Sequence, residues 1–269
     1  MVFLKCGFVK NQFSIVIVCK NEAAVIRHLL DSAQTITDDV VVYDNGSTDE
    51  TVTIARQYPN VHVHEGAWEG FGKTKQHATA LAKHDWILSL DADEALDETL
   101  QQTLVQLQLN DPAVAYNILF KNFLGNKHIR WGEWGFDAHI RLFHRAQVHW
   151  NDAQVHEQLI IPKHIKIKKL RGHVLHRTVT DTVVYSRKVV HYALLNAEKY
   201  FKRGKHATFS KRYIAPRFTF IKFYIFMLGF LDGWEGLVCA RMTAYYTFLK
   251  YARLYELHKA EKNKRNHLK

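Results

Sequence analysis

The sequence predicts an α/β fold built on a parallel sheet, extended by shorter strands and followed by a helical region. Three observations carry this. Short apolar runs alternate with helical patterns over the first third. These runs are apolar at consecutive positions, as in strands buried on both faces. From about Asp181 onward, Tyr, Phe and Leu recur at helical spacing with Lys and Arg between them.

The elements follow in order. Ser14–Cys19 is a buried strand, and Glu22–Ala33 an amphipathic helix. Val40–Tyr43 is a second strand, closed by the turn Asp44-Asn45-Gly46. Ser47 and Glu50 then have capping-box spacing before a helix reaching about Gln57. Val61–His64 is a strand, Lys75–Lys83 a helix, Trp86–Leu90 a strand and Asp97–Leu109 a helix. Val114–Phe120, His139–His144 and Ile165–Leu170 read as strands of an antiparallel extension, joined by loops rich in Gly, Trp, His and Asn.

Composition narrows the class. At 47% hydrophobic and 23% charged over 269 residues, the chain is globular rather than disordered. Three dispersed cysteines, Cys6, Cys19 and Cys239, form neither a disulfide framework nor a CxxC site, so a reducing compartment is expected. Residues 199–269 hold 16 Lys/Arg against 4 Asp/Glu, whereas the preceding residues hold 21 against 22. A near-neutral body with a basic tail points to an anionic partner reached through the tail. The first 13 residues lack an apolar run with a cleavage site, so no signal peptide is expected. Phe218–Leu231 is the most apolar stretch, but it is short and interrupted by Lys222, too little to span a bilayer.

Three polar clusters fall at the carboxyl ends of expected parallel strands, where open α/β sheets bind ligands. They are Lys20-Asn21-Glu22, Asp44-Asn45-Gly46-Ser47-Thr48-Asp49 and Asp91-Ala92-Asp93-Glu94. Carboxylates gathered at a sheet's lip are costly unless a cation or a donor-rich ligand neutralises them. Alternating carboxylates suit Mg²⁺ or Mn²⁺, which take oxygen ligands. An isolated Asp-x-Asp is common in surface turns; the order and spacing of all three clusters is what carries information.

With the basic helix start Gly72-Lys73-Thr74-Lys75-Gln76-His77-Ala78 between the second and third clusters, residues 13–100 resemble the nucleotide-sugar-binding half of glycosyltransferase family 2, which has the GT-A (Rossmann-like) fold. Phe136-Asp137, Arg141-Leu142-Phe143, Val155-His156-Glu157 and His176 are similar to the subgroup of lipopolysaccharide core β-1,4-glucosyltransferases. So is Gly229-Phe230-Leu231-Asp232-Gly233 followed by Gly236-Leu237. Gln76, His77 and Gly135 depart from the common pattern, which often has Asn, an apolar residue and Pro there. The resemblance implies a catalytic domain over 1–180, with a nucleotide-sugar half (1–110) and an acceptor half (111–180). A helical, basic, membrane-associating region follows over 181–269.

It also implies roles. Asp44 accepts a hydrogen bond from a uracil-like base, supported by Asn21 and Glu22. Lys73 and Lys75 meet the diphosphate, Asp91 the ribose or the metal shell, and Asp93 ligates Mg²⁺ or Mn²⁺, which stabilises the leaving nucleotide. Inversion requires one base opposite the leaving group. Glu157 is favoured over Asp137, with Glu133 a third candidate; Asp137 alternatively pairs with Arg141, four residues on. His176 is a second metal ligand, with His173 its near competitor. Trp131 and Trp134 either stack on a sugar or fill a core.

In the tail, Phe218, Ile221, Ile225, Leu228 and Leu231 lie at helical spacing near Arg217 and Lys222, and Tyr245, Tyr246, Phe248, Leu249 and Tyr251 interleave with Arg241, Lys250 and Arg253. Such helices either lie against anionic lipid or pack their apolar stripe on the catalytic domain. The expectation is an inverting hexosyltransferase, peripheral on the cytoplasmic face of a bacterial inner membrane. Its donor would be a UDP-sugar, foremost UDP-glucose, and its acceptor a lipid-linked glycan, the inner-core heptose of lipopolysaccharide. The rivals are a sister transferase acting on capsule or polyprenyl-linked glycan, and a non-catalytic basic protein binding membrane or nucleic acid. No nucleic-acid partner is expected, since no recognition signature accompanies the charge.

Overall fold

The computed structural model of the chain describes residues 12–152 and 157–267. Two compact units emerge. One runs to Phe120 and resumes over Ala138–His176; the other joins Lys121–Asp137 to the chain from Arg177 onward.

The first unit is built on β1 (Phe13–Cys19), β2 (Val40–Asp44), β3 (Val61–Glu65) and β4 (Trp86–Asp91), all parallel in the order β3-β2-β1-β4. β8 (Ala138–His144) adds antiparallel to β4, and β6 (Val114–Leu124) antiparallel to β8. β11 (Lys166–Val179) lies beside β6, and β5 (Glu94–Leu96) pairs antiparallel with β11 at the sheet's edge. β9 (His149–Trp150) and β10 (Leu159–Ile160) form a separate two-stranded ribbon.

Consecutive apolar residues make these strands because both faces are covered. Helices α1 (Ile26–Ala33), α2 (Thr51–Ala55) and α4 (Glu98–Gln106) share one core with Phe13, Ile15, Ile17 and Leu90. Helix α3 (Phe71–Ala80) contributes Ala78 to the other, with Val16, Val41 and Phe143. Each large side chain fully buried here stabilises the fold by roughly 1.5–3 kcal/mol. Ser14, a polar residue opening β1, is fully buried but satisfied: it donates to Asp39 and accepts from the His84 amide.

Several boundaries differ from expectation. Residues 21–23 join a loop, so α1 starts at Ile26 rather than Glu22. The Ser47/Glu50 capping box does not form. Asp44 captures Ser47 through the Gly46 and Ser47 amides (2.9 and 2.8 Å) and the Ser47 hydroxyl, and α2 shrinks to five residues. Helix α3 begins at Phe71, four residues early. At α4 the cap is as expected: Asp97 accepts from the Leu100 amide at 2.9 Å.

Gly172 crosses α4 at close range. Its φ is +96°, and a Cβ there would lie 2.2 Å from the Leu100 amide nitrogen. Gly172→Ala therefore combines backbone strain with overlap against another backbone, and is expected to lower stability by about 2 kcal/mol or more. Urea denaturation monitored by circular dichroism checks this; an unchanged midpoint would refute the close approach.

The second unit contains the β6 end with β7 (Lys127–His128) and helices α5 (Thr182–Lys202), α6 (Phe209–Ile221) and α7 (Gly233–His267). Its core joins Leu124, Ile129, Val179, Tyr185, Val189 and Val238, with Trp134 packed against it. A π-turn (Lys222–Phe226) and a 3₁₀ turn (Gly229–Asp232) separate α6 from α7. Asp232, 4% exposed, accepts from the Arg130 and Trp131 amides at 2.9 and 2.8 Å. A Cβ at Gly236 would lie 1.9 Å from the Gly229 carbonyl oxygen. The Gly229–Gly233 motif thus has a structural role, closing this loop onto 130–132. Among the described residues no single helix is long and apolar enough to cross a membrane, although the stretches on either side of this break meet at 69°.

Candidate active site

Parallel strands bring the three polar clusters together. Cys19 stands opposite Asp44, and Val18 opposite Asp91, so the carboxyl ends of β1, β2 and β4 are level. The strand order diverges at β1, with β2 on one side and β4 on the other; a crevice forms at such a switch point.

The first two clusters are stitched into one rigid loop pair. Asn21 adopts a left-handed φ of 57°, a conformation Asn tolerates. Its side chain accepts from the Thr48 amide (2.8 Å), and its own amide donates to Ser47 Oγ (2.8 Å). The Glu22 amide donates to Thr51 Oγ1 at 2.8 Å. Asp44 is 2% exposed, with both oxygens taken up by its own turn. The carboxylate braces the loop. The next residue, Asn45, is 8% exposed; its Oδ1 is buried without a partner among the described residues, while its Nδ2 donates to the Gly66 carbonyl. Asn45 lines a cavity of about 430 Å³ with Lys20, Glu22, Trp68, Phe71 and Asp91. Trp68 and Phe71 meet edge to face at 4.6 Å; single-residue sequence reasoning had no signal for them.

Lys75 is the node of the site. It is 5% exposed, and its Nζ lies 2.9 Å from both Asp91 Oδ1 and Glu157 Oε1, and 4.9 Å from the Trp150 ring centre. Burial opposes its charge, but Asp91 and Glu157 outweigh that and the ammonium pKa is raised. Lys75 and Asp91 line both the 430 Å³ cavity and a second one of about 750 Å³, which Asn117, Arg141, Trp150 and Glu157 also line. Lys73 is placed differently from Lys75. Two positions along a helix point to nearly opposite faces, so Lys75 turns inward and Lys73 outward, exposed and lining neither cavity.

Arg141 reaches the same carboxylates, 3.3 Å from Asp91 and 2.5 Å from Glu94. Glu94 is 1% exposed and accepts from the Asp91 amide at 2.9 Å. One guanidinium serves two carboxylates, and their pKa values move apart. Burial would raise Asp91, but Lys75 and then Arg141 hold it well below the carboxylate range. Burial raises Glu94; Arg141 offsets only part of that, and Asp91 adds to it.

The β5–β11 pairing places His176 opposite Glu94 and beside Asp93, with Nε2 3.6 Å from Asp93 Oδ2. Burial would lower the His176 pKa, but the hydrogen bond and charge of Asp93 raise it above the ordinary value. Adjacent ligands of an octahedral cation with bonds of ~2.1 Å stand about 3 Å apart, so this oxygen–nitrogen pair fits two positions of one ion. Among the described residues no third His, Cys, Asp or Glu joins this pair in a cluster. His173 is a helix brace: its amide and ring both bond Asp97 at 3.0 Å.

Of the three base candidates, Glu157 lies in this unit's cavity; Val155 and His156 beside it fall outside the described residues. Asp137 and Glu133 belong to the second unit. There Asp137 accepts from Asn122 Nδ2 at 3.1 Å and Glu133 accepts from the Thr243 hydroxyl at 2.6 Å. Trp134 is core there, 5.1 Å from the Tyr185 ring, and Trp131 lies 6.3 Å from Phe136. Gln76, one of the departures from the common pattern, accepts from the Trp150 amide and so holds β9 to α3.

A parallel half sheet with an antiparallel extension, and acidic loops at its switch point, is the architecture of the GT-A fold. The sequence profile described as Glycosyl transferase family 2 matches residues 14–194, and the chain belongs to that family. An uncharacterized glycosyltransferase of Rickettsia typhi is 28% identical over 94% of this chain and 90% of its own length. The lipopolysaccharide core biosynthesis glycosyltransferase LpsC of Rhizobium meliloti is 26% identical, over 93% and 94%. Among solved structures, S. aureus TarS 1–349 in complex with UDP aligns over 93% of this chain and 92% of its own, at 16% identity and a TM-score of 0.47.

Proposed function

We propose that this transferase moves a hexose from a uridine diphosphate sugar, foremost UDP-glucose, to a lipid-linked core glycan, the inner-core heptose of lipopolysaccharide, with inversion. The observation that carries the reading is the position of Lys75: one buried ammonium joins a carboxylate of the third cluster to Glu157 and lines both cavities. The acceptor follows the likeness to LpsC together with the family membership.

The nucleoside occupies the 430 Å³ cavity, where Asn45 Oδ1 accepts a base N–H and Trp68 and Phe71 offer aromatic faces. Lys75 has three N–H donors, two of them committed, and gives the third to the diphosphate. Asp93 and His176 hold Mg²⁺ or Mn²⁺, which supplies charge neutralisation for the departing nucleotide. The sugar and acceptor share the 750 Å³ cavity. There Asn117 Oδ1 and Trp150 Nε1 are buried without partners among the described residues, an acceptor and a donor suited to sugar hydroxyls. Glu157 takes the acceptor hydroxyl's proton while that oxygen bonds the anomeric carbon. The carbon–oxygen bond to the diphosphate breaks, its electron pair leaving with the nucleotide. A single displacement from the opposite face inverts the centre. The helices of the second unit hold the enzyme at an anionic membrane on its cytoplasmic side. Their charge supports this, as does the exposure of large apolar side chains such as Phe226 and Trp234, each 70%.

Nucleotide release tests the reading, with purified protein, candidate UDP-, GDP- and dTDP-sugars, Mn²⁺ or Mg²⁺, and truncated lipopolysaccharide. Release should require acceptor and metal, and Asp93→Ala should reduce it at least about 100-fold, the scale of one lost charge-stabilising group. Release that persists in Asp93→Ala or in excess chelator removes the metal assignment. Failure of every donor with every acceptor removes the reading.

A further inference from the structure

We propose that the groove between α5, α6 and α7 seats one anionic phospholipid, its acyl chain along the apolar walls and its phosphate on the arginines. This deepens the membrane part of the proposed function and rests on it. The groove encloses about 860 Å³. Pro216, Phe220 and Ile221 of α6 face it, as do Met242, Tyr245 and Phe248 of α7, so its walls are apolar and aromatic. Arg212, Arg217 and Arg241 also line it, and no carboxylate does among the described residues.

This combination selects the occupant. An uncharged chain would leave the three arginines that line the groove, Arg217 and Arg241 exposed and Arg217 also bonded to the Tyr213 carbonyl, without a counter-charge. A free phosphate or other small anion would leave the walls uncovered. A phosphate joined to an acyl chain satisfies both, and guanidinium forks match phosphate oxygens in pairs. Two of the arginines stack on aromatic rings. Arg241 lies 5.1 Å above the Phe220 ring and Arg212 4.2 Å above that of Tyr255, while Arg212 Nε is buried without a partner among the described residues. A volume in the range of small-molecule sites is too wide for a metal or simple anion. On the same stretch of chain Phe218, Ile225 and Phe226 are 57%, 48% and 70% exposed, so a lipid leaving a leaflet for this groove need not cross a polar barrier.

The experiment uses the full chain, delipidated in detergent and offered phosphatidylglycerol or phosphatidylcholine, with retained lipid counted by native mass spectrometry. Co-sedimentation with phosphatidylglycerol-containing vesicles is run alongside. One phosphatidylglycerol per chain should be retained, roughly tenfold in preference to phosphatidylcholine. Ala244→Trp, which fills the groove without changing charge, should lose the retained lipid while still sedimenting with vesicles. If that variant does not fold, Arg212→Gln/Arg241→Gln decides, and should abolish the preference for phosphatidylglycerol. Wild-type protein that sediments but retains no lipid, variants that retain it like wild type, or displacement of the lipid by a short RNA would each overturn the groove assignment. Wild-type protein that does not sediment at all would instead overturn the membrane reading.

Discussion

Arg141→Met should lower the free energy of unfolding by about 3–5 kcal/mol, the cost of stranding a buried carboxylate. Glu94 is 1% exposed and depends on Arg141 for its counter-charge at 2.5 Å, and Asp91 shares the same guanidinium. The methionine keeps much of the volume and the packing against Phe120, whose ring centre lies 5.3 Å from the guanidinium carbon, so the loss measured is mainly electrostatic. Adding Glu94→Gln should recover a large part of it, because the neutral amide no longer requires a cation. Urea denaturation of the two single variants and the double variant forms a cycle. If the double variant is no more stable than Arg141→Met, the pairing of Arg141 with Glu94 is not what stabilises this part of the sheet.

Glu157→Gln should reduce kcat by about 10²–10⁴-fold, the range of a lost general base, with little change in KM for the nucleotide sugar. The amide keeps the size of the side chain and still offers an oxygen to Lys75, so the cavity wall survives. Steady-state nucleotide release with lipopolysaccharide acceptor separates the two constants. A loss confined to KM would make Glu157 a binding residue held by Lys75. No loss at all would return the base to Asp137, which sits in the second unit bonded to Asn122.

The sequence was most legible where structure is local. β1, β2 and β4 announce themselves because strands covered on both faces are apolar at every position, and the clusters that follow them are contiguous in the chain. The three-residue β5 carried no periodicity and was missed, yet its pairing with β11 is what sets His176 beside Asp93. Ser47 and Glu50 had the spacing of a cap, but an aspartate three residues earlier reached the serine first. Such competition between equally local hydrogen bonds is not visible in spacing alone.

Other assignments changed because they depend on direction or on distance across the fold. Lys73 and Lys75 look equivalent as sequence; the helix turns one to solvent and the other into the site. Arg141 has Asp137 four residues away as a local partner by spacing, and only the antiparallel β4–β8 pair brings it to Asp91 and Glu94. Asp44 and Asn45 are neighbours with different surroundings, since the carboxylate closes the turn and the amide oxygen is buried without a partner among the described residues.

By itself, then, the sequence determined the family, the parallel half of the sheet and the three acidic or polar loops at its carboxyl edge. Each of these is encoded in short runs whose hydrophobic pattern and order survive without knowledge of contacts. Only the tertiary structure decided which charges neutralise one another: Lys75 with Asp91 and Glu157, Arg141 with Glu94, Asp93 with His176. The physical reason is that a buried charge requires a counter-charge within a few ångströms. Strand pairing supplies that neighbour from residues tens of positions away, where no local pattern records it.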